Sequence, residues 1–166
     1  MSLRHILMIL IFSLFPFAAK AGTYTIPYDK PVATISVPDS WNPNSSDDGV
    51  DASSPDNKLF FSVYAAPDED EKGALRIAAR IASNGDVMKI DLDTVRERHV
   101  KFGKLATSEY QFDMVMENKP GVVTINLVPL NAGGFLQIIH WGSKQGIAKN
   151  GGAESKIFAT IRLTGK

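Results

Sequence analysis

Between Ser108 and Trp141 the chain spells out an antiparallel meander. Tyr110, Phe112, Met114 and Met116 alternate with Glu109, Gln111 and Asp113, so one face of this strand is apolar and the other polar. Asn118-Lys119-Pro120-Gly121 places Pro and Gly where a type II turn wants them. Val122–Val128 runs back, Asn131-Ala132-Gly133-Gly134 makes the next hairpin, and Phe135–Trp141 is the following strand. Three adjacent strands joined by tight turns commit the chain to an antiparallel sheet, because parallel neighbours need long crossovers.

The preceding half supplies further strands and one clear helix. Gly22–Lys30 is a short lead-in, and Val32–Val37 is rich in β-branched residues and reads as a strand. Pro38-Asp39-Ser40-Trp41 ends it, and the polar stretch 42–49 is turn chemistry throughout. Val50–Ser53 is a short strand and Ser54–Asn57 a turn. Lys58–Ala65 follows, with Leu59, Phe61 and Val63 on one side and Phe60 and Tyr64 on the other. A strand apolar on both sides is expected to be interior and covered on both faces. Asp68 with Glu71 predicts a capping-box-like helix start, Ala74, Ile77, Ala78 and Ile81 the buried stripe, and Asn84-Gly85 the stop. Lys72, Arg76 and Arg80 line its other face and read as a solvated row. Thr94–Phe102 fits a strand or a helix equally well. Gly142–Gly152 reads as a glycine-rich loop, followed by a short helix with Ile157, Phe158 and Ile161 as its apolar edge.

The N-terminus reads as an export signal. Arg4 precedes the apolar run Ile6–Ala19, which is short for a membrane span, and Ala19-Lys20-Ala21 fits a small-x-small cleavage site. Residues 1–21 are therefore expected to be a signal peptide and 22–166 a single exported domain, periplasmic or secreted, with no membrane span once the signal is cut. The remaining chain is long enough to bury a core without staples, in keeping with its lack of cysteine. The full sequence has 18 basic residues matched by 18 acidic ones, and the signal removes only Arg4 and Lys20. That balance supplies no basic field for nucleic acid or an anionic membrane.

The order of elements resembles the PsbP-like fold, also seen in bacterial DcrB-like proteins and a yeast Ran-binding import factor. The similarity lies in a strand followed by Val37-Pro38-Asp39-Ser40-Trp41, a polar loop to Gly49, Ser54-Pro55-Asp56, the helix ending at Asn84-Gly85, the meander, and a C-terminal helix at Ser155–Arg162. The resemblance implies an α+β architecture, an antiparallel sheet with helices packed on both faces as an α/β/α sandwich. It also implies a non-enzymatic accessory or binding role, and it carries over no functional residue.

The motifs of catalysis are thin. Beyond the signal only His99 and His140 remain, in no recognised ligand spacing, and His140 beside Trp141 reads as a hydrogen-bonded structural residue. Asn44-x-Ser46-x-Asp48-Gly49 imitates the start of a calcium loop, but its twelfth position is Pro55 instead of a bidentate Glu. No serine sits in a Gly-x-Ser-x-Gly elbow, and the glycine-rich segments lack a Gly-Lys-Ser/Thr ending. No catalytic residue, metal ligand or cofactor is expected. Trp41 either plugs the end of the core, the simpler reading, or lines a cleft; with Asp47, Asp48 and Asp51 it forms the candidate binding set. The leading reading is an exported accessory or binding protein of the cell envelope, its partner an envelope protein or a small ligand. The alternative is a small envelope hydrolase using the loop carboxylates.

Overall fold

The computed structural model describes residues 20–27, 30–83, 88–102, 104–116 and 118–164; residues 1–19 of the expected signal peptide and the expected helix stop at Asn84-Gly85 lie outside them. The described elements run β1 (Ala21–Ile26), β2 (Ala33–Pro38), a 3-10 turn (Asp39–Trp41), β3 (Asn44–Ser45), β4 (Gly49–Ser53) and β5 (Leu59–Ala66). Helix α1 (Glu71–Ala82), strands β6 (Met88–Phe102), β7 (Leu105–Met116), β8 (Lys119–Pro129) and β9 (Phe135–Ser143), helix α2 (Lys144–Phe158) and β10 (Arg162–Leu163) follow. Seven strands form one antiparallel sheet in the order β3-β4-β5-β9-β8-β7-β6, and β1-β2-β10 form a second. Sheet dominates the molecule.

The two apolar parities of the large sheet feed separate clusters. Leu59, Phe61 and Val63 of β5, with Leu136 and Ile138 of β9, join Ile35 and Val37 of β2 and Ile157 and Phe158 of α2. Ile139 of β9, with Val123, Ile125 and Leu127 of β8 and Tyr110, Phe112 and Met114 of β7, joins Ala74 and Ala78 of α1. Successive residues of a strand point to opposite faces, so Ile138 and Ile139 belong to different clusters by necessity.

Several expectations shift. The lead-in forms β1, paired along its length with β2. The ambiguous stretch 94–102 is the second half of β6, an edge strand interrupted between Asp91 and Arg96. The turn before β8 comes earlier than expected: Met116 pairs with Lys119, Asn118 takes a left-handed φ of 61°, and Pro120 and Gly121 lie within the strand. Helix α1 is capped by Asp70, whose carboxylate accepts from Gly73 N at 2.7 Å; Asp68 lies outside the helix, with a left-handed φ of 61°. Ala74 and Ala78 are buried and Ile77 and Ile81 half-buried, while Lys72, Arg76 and Arg80 are exposed.

The largest correction is the C-terminal helix. The expected loop Gly142–Gly152 is mostly helix: α2 starts at Lys144, with Ser143 Oγ accepting from Gly146 N at 3.0 Å, and ends at Phe158, before Ile161. A Cβ at Gly146 would sit 2.1 Å from the Lys58 carbonyl oxygen, so the glycine lets the first turn press against the β4–β5 turn. Packing outweighs the modest cost of glycine in a helix.

Candidate functional site

The site grows from the one place where the sheet departs from the expectation for β5. Leu59, Phe61 and Val63 are completely buried, but Phe60 and Tyr64 on the opposite face are only half-buried. Among the described residues, Ile81 is the part of helix α1 that lines this region, and the sheet beside it forms a groove of about 430 Å³. Phe60, Ser62 and Tyr64 of β5, Asp51 and Ser53 of β4, Trp141 of β9 and Asn42 and Asn44 line it.

Register fixes the geometry. Phe60 lies opposite Trp141 on one side and Ser53 on the other. The Phe60 and Trp141 rings stack with centroids 5.8 Å apart and planes 15° from parallel. Asp51 lies opposite Ser62. Its Oδ1 accepts from Ser62 Oγ at 2.5 Å and its Oδ2 from Tyr64 Oη at 2.9 Å. Burial, and then the Asp51 charge, push the Tyr64 phenol up to about 12, so the hydroxyl remains a donor at neutral pH. The carboxylate is thereby held in one orientation beside an aromatic wall.

The candidate residues do not all meet here. Asp51 is in the groove wall. Asp47 and Asp48 are exposed in the turn between β3 and β4. Trp41 is 4% exposed and packs its ring 5.7 Å from Phe61, within the core cluster of α2 and β2. Among the residues lining the groove, Phe60, Tyr64 and Trp141 were not in the sequence-derived set. Their signal was present as the second apolar face of 58–65, which reads equally as a buried face.

Other polar groups occupy structural positions. His140 Nδ1 lies 3.0 Å from Glu154 Oε2 of α2, and its ring is edge-on to Phe158; this is the opposite parity of β9 from Trp141. Asp56 binds Lys149 and Asn150, both at 2.9 Å, tying the β4–β5 turn to α2. The calcium-like segment folds as β3 and a turn, with Asn44 paired to Asp51 across strands. Among the described residues no group of three or more His, Cys, Asp or Glu is placed to hold a metal ion, and no helix is long and apolar enough to cross a membrane. A second cavity of about 560 Å³ near Phe102, Leu105 and Leu163 has fewer converging polar groups, and its Arg162 is engaged by the Ala159 and Ile161 carbonyls at 2.8 Å.

The chain has a PsbP-like fold. No family model and no curated protein sequence matches it. Among solved structures, the chain is similar to cyanobacterial PsbP (CyanoP) from Synechocystis, with TM-score 0.51 and 11% identity over 91% of this chain and 99% of that one. A Bacteroides thetaiotaomicron protein gives TM-score 0.56 and 15% identity over 87% of this chain; the match spans 48%, about half, of that longer chain. At these identities the likeness concerns the fold.

Proposed function

We propose that the chain is a non-enzymatic accessory or binding protein of the cell envelope, exported as the single domain 22–166, and that the groove between β4, β5 and β9 receives its ligand or partner. The observation that carries this reading is the Phe60–Trp141 stack standing beside the doubly hydrogen-bonded Asp51. Concave sites with apolar walls and a few oriented polar groups are the usual form of a binding site. Export is supported by the leader-like run 6–19 and the Ala19-Lys20-Ala21 pattern. A helix on each face of the sheet is the architectural reading supported by the separate clusters that α1 and α2 join. The hydrolase alternative needs two carboxylates converging on one bond. Asp51 is the single carboxylate among the described residues lining the groove, which favours binding over hydrolysis.

The test is site-specific photocrosslinking in the native envelope. A photoreactive residue in place of Phe60 is expected to give discrete adducts that Asp51→Asn abolishes. The same probe in place of Leu92, which is 63% exposed, is the control. Equal adducts from both positions would refute the groove as the binding surface. An N-terminal sequence beginning at Gly22 on the exported protein supports the export reading, and retention of residues 1–21 overturns it.

A further inference from the structure

We propose that the groove recognises an alkylammonium group, an inference that rests on its being a binding site. Among the described residues, Phe60, Tyr64 and Trp141 line it together with one carboxylate, Asp51, and with no Lys or Arg. Aromatic faces attract cations through the ring quadrupole, and a carboxylate adds a direct charge partner. An anion would meet Asp51 with nothing to balance it. The carboxylate is also prepared for a further donor. Ser62 and Tyr64 use one acceptor position on each oxygen, and a carboxylate has about four.

The aromatic wall has an available side. Trp141 covers one face of Phe60, whereas the cross-strand neighbour on the other side is Ser53, too small to cover a ring. Asn42 and Asn44, both exposed, stand at the groove with amide oxygens suited to accept from a primary ammonium. Asp48, exposed on the turn between β3 and β4, adds negative charge close enough to act on the Tyr64 phenol. Aromatic walls, a fixed carboxylate and a nearby acidic side chain are complementary to one kind of ligand, a positively charged nitrogen on an apolar stem.

The experiment titrates the folded domain with choline, n-butylammonium, Nα-acetyl-lysine amide and the neutral choline isostere 3,3-dimethylbutan-1-ol. Binding is followed by the indole N–H resonances, which separate groove Trp141 from core Trp41. The expected result is saturable movement of the Trp141 resonance by at least one cation, with at least tenfold weaker binding of the isostere. Asp51→Asn is expected to weaken cation binding at least tenfold, and Asp51→Glu to restore part of it; thermal midpoints report folding of both variants. Stronger binding of Nα-acetyl-lysine amide supports a basic side chain of a polypeptide as the source of the nitrogen, and stronger binding of choline or butylammonium supports a free amine. Equal binding of isostere and cations, or undiminished cation binding by folded Asp51→Asn, overturns the ammonium assignment and leaves the groove as a binding site. If no probe moves Trp141 while Phe60-position crosslinks persist, the ammonium assignment also falls and the groove reading stands. If crosslinks are absent too, both fall.

Discussion

Phe60 and Phe61 are neighbours in sequence with opposite duties. Phe61 is completely buried, in contact with Trp41 and edge-on to Phe158 at 5.2 Å. Phe61→Ala is expected to cost about 3–5 kcal/mol through lost burial and a residual cavity; chemical denaturation measures it, and a loss below about 1 kcal/mol would contradict a fully packed site. Phe60→Ala is expected to cost less and to impair ligand capture instead. His140 tests the same division of labour across β9. Its contact to Glu154 belongs to the α2 side, so His140→Gln is expected to leave groove binding within twofold. Loss of binding at unchanged stability would make it a site residue. Tyr64 offers a titration. The folded chain holds its proton up to about pH 12, whereas the unfolded chain releases it near pH 10. Its stabilising contribution is therefore complete below about pH 10 and disappears as pH rises toward 12. Tyr64→Phe is expected to flatten the alkaline fall in stability over that window. Tyr110, pushed up to about 12 by burial and Glu71, keeps part of the slope.

At the level of elements, the sequence was most legible where alternation and turns agreed. The strands β7, β8 and β9 follow from the pattern of Tyr110, Phe112 and Met114 and from the Asn131–Gly134 hairpin, where Gly133 and Gly134 take φ of 96° and 76°. Alternation misleads at Glu109, expected outward but only 6% exposed, where it pairs with Arg98 of the neighbouring strand at 2.5 Å. Helix α2 was hidden because glycine-rich segments carry weak local propensity, and the contact that favours Gly146 comes from Lys58, far away in sequence. The groove was half legible. Asp51 stood out as an acid near a polar loop, but the openness above Phe60 depends on where α1 ends its cover. The Asp56 tie to α2 makes an element-level prediction. Hydrogen bonding to Lys149 and Ser54 holds its carboxyl well below the usual range. Its contribution is present above the unfolded pKa of about 4 and lost as pH falls below it. Asp56→Asn is expected to flatten the acid limb of stability, measured by denaturant midpoints between about pH 2 and 6. Asp113, lowered by Arg96, retains some of the limb.

Across the whole molecule, charge is balanced in number but not in place. The turn between β3 and β4 carries Asp47 and Asp48, of which Asp48 acts on the Tyr64 phenol in the groove wall, and no basic side chain is among the described residues lining the groove. Asn replacement of both residues is expected to weaken capture of a cationic probe at low salt and to matter less at moderate salt, where screening shortens their reach. Equal loss at both salts would point to a contact instead of a field. The pairing of β1 bears on the order of events in the life of the chain. Ala21 is matched with Pro38, and the Lys20 carbonyl accepts from Asp39 N at 2.9 Å. The bond between Ala21 and Gly22 is therefore zipped into a sheet once β1 docks. A peptidase needs that segment extended and unpaired, so the cut proposed there has to come before folding is complete. On the proposed export reading, the chain crosses and is trimmed while still open, and a copy that folds first shields the bond to be cut.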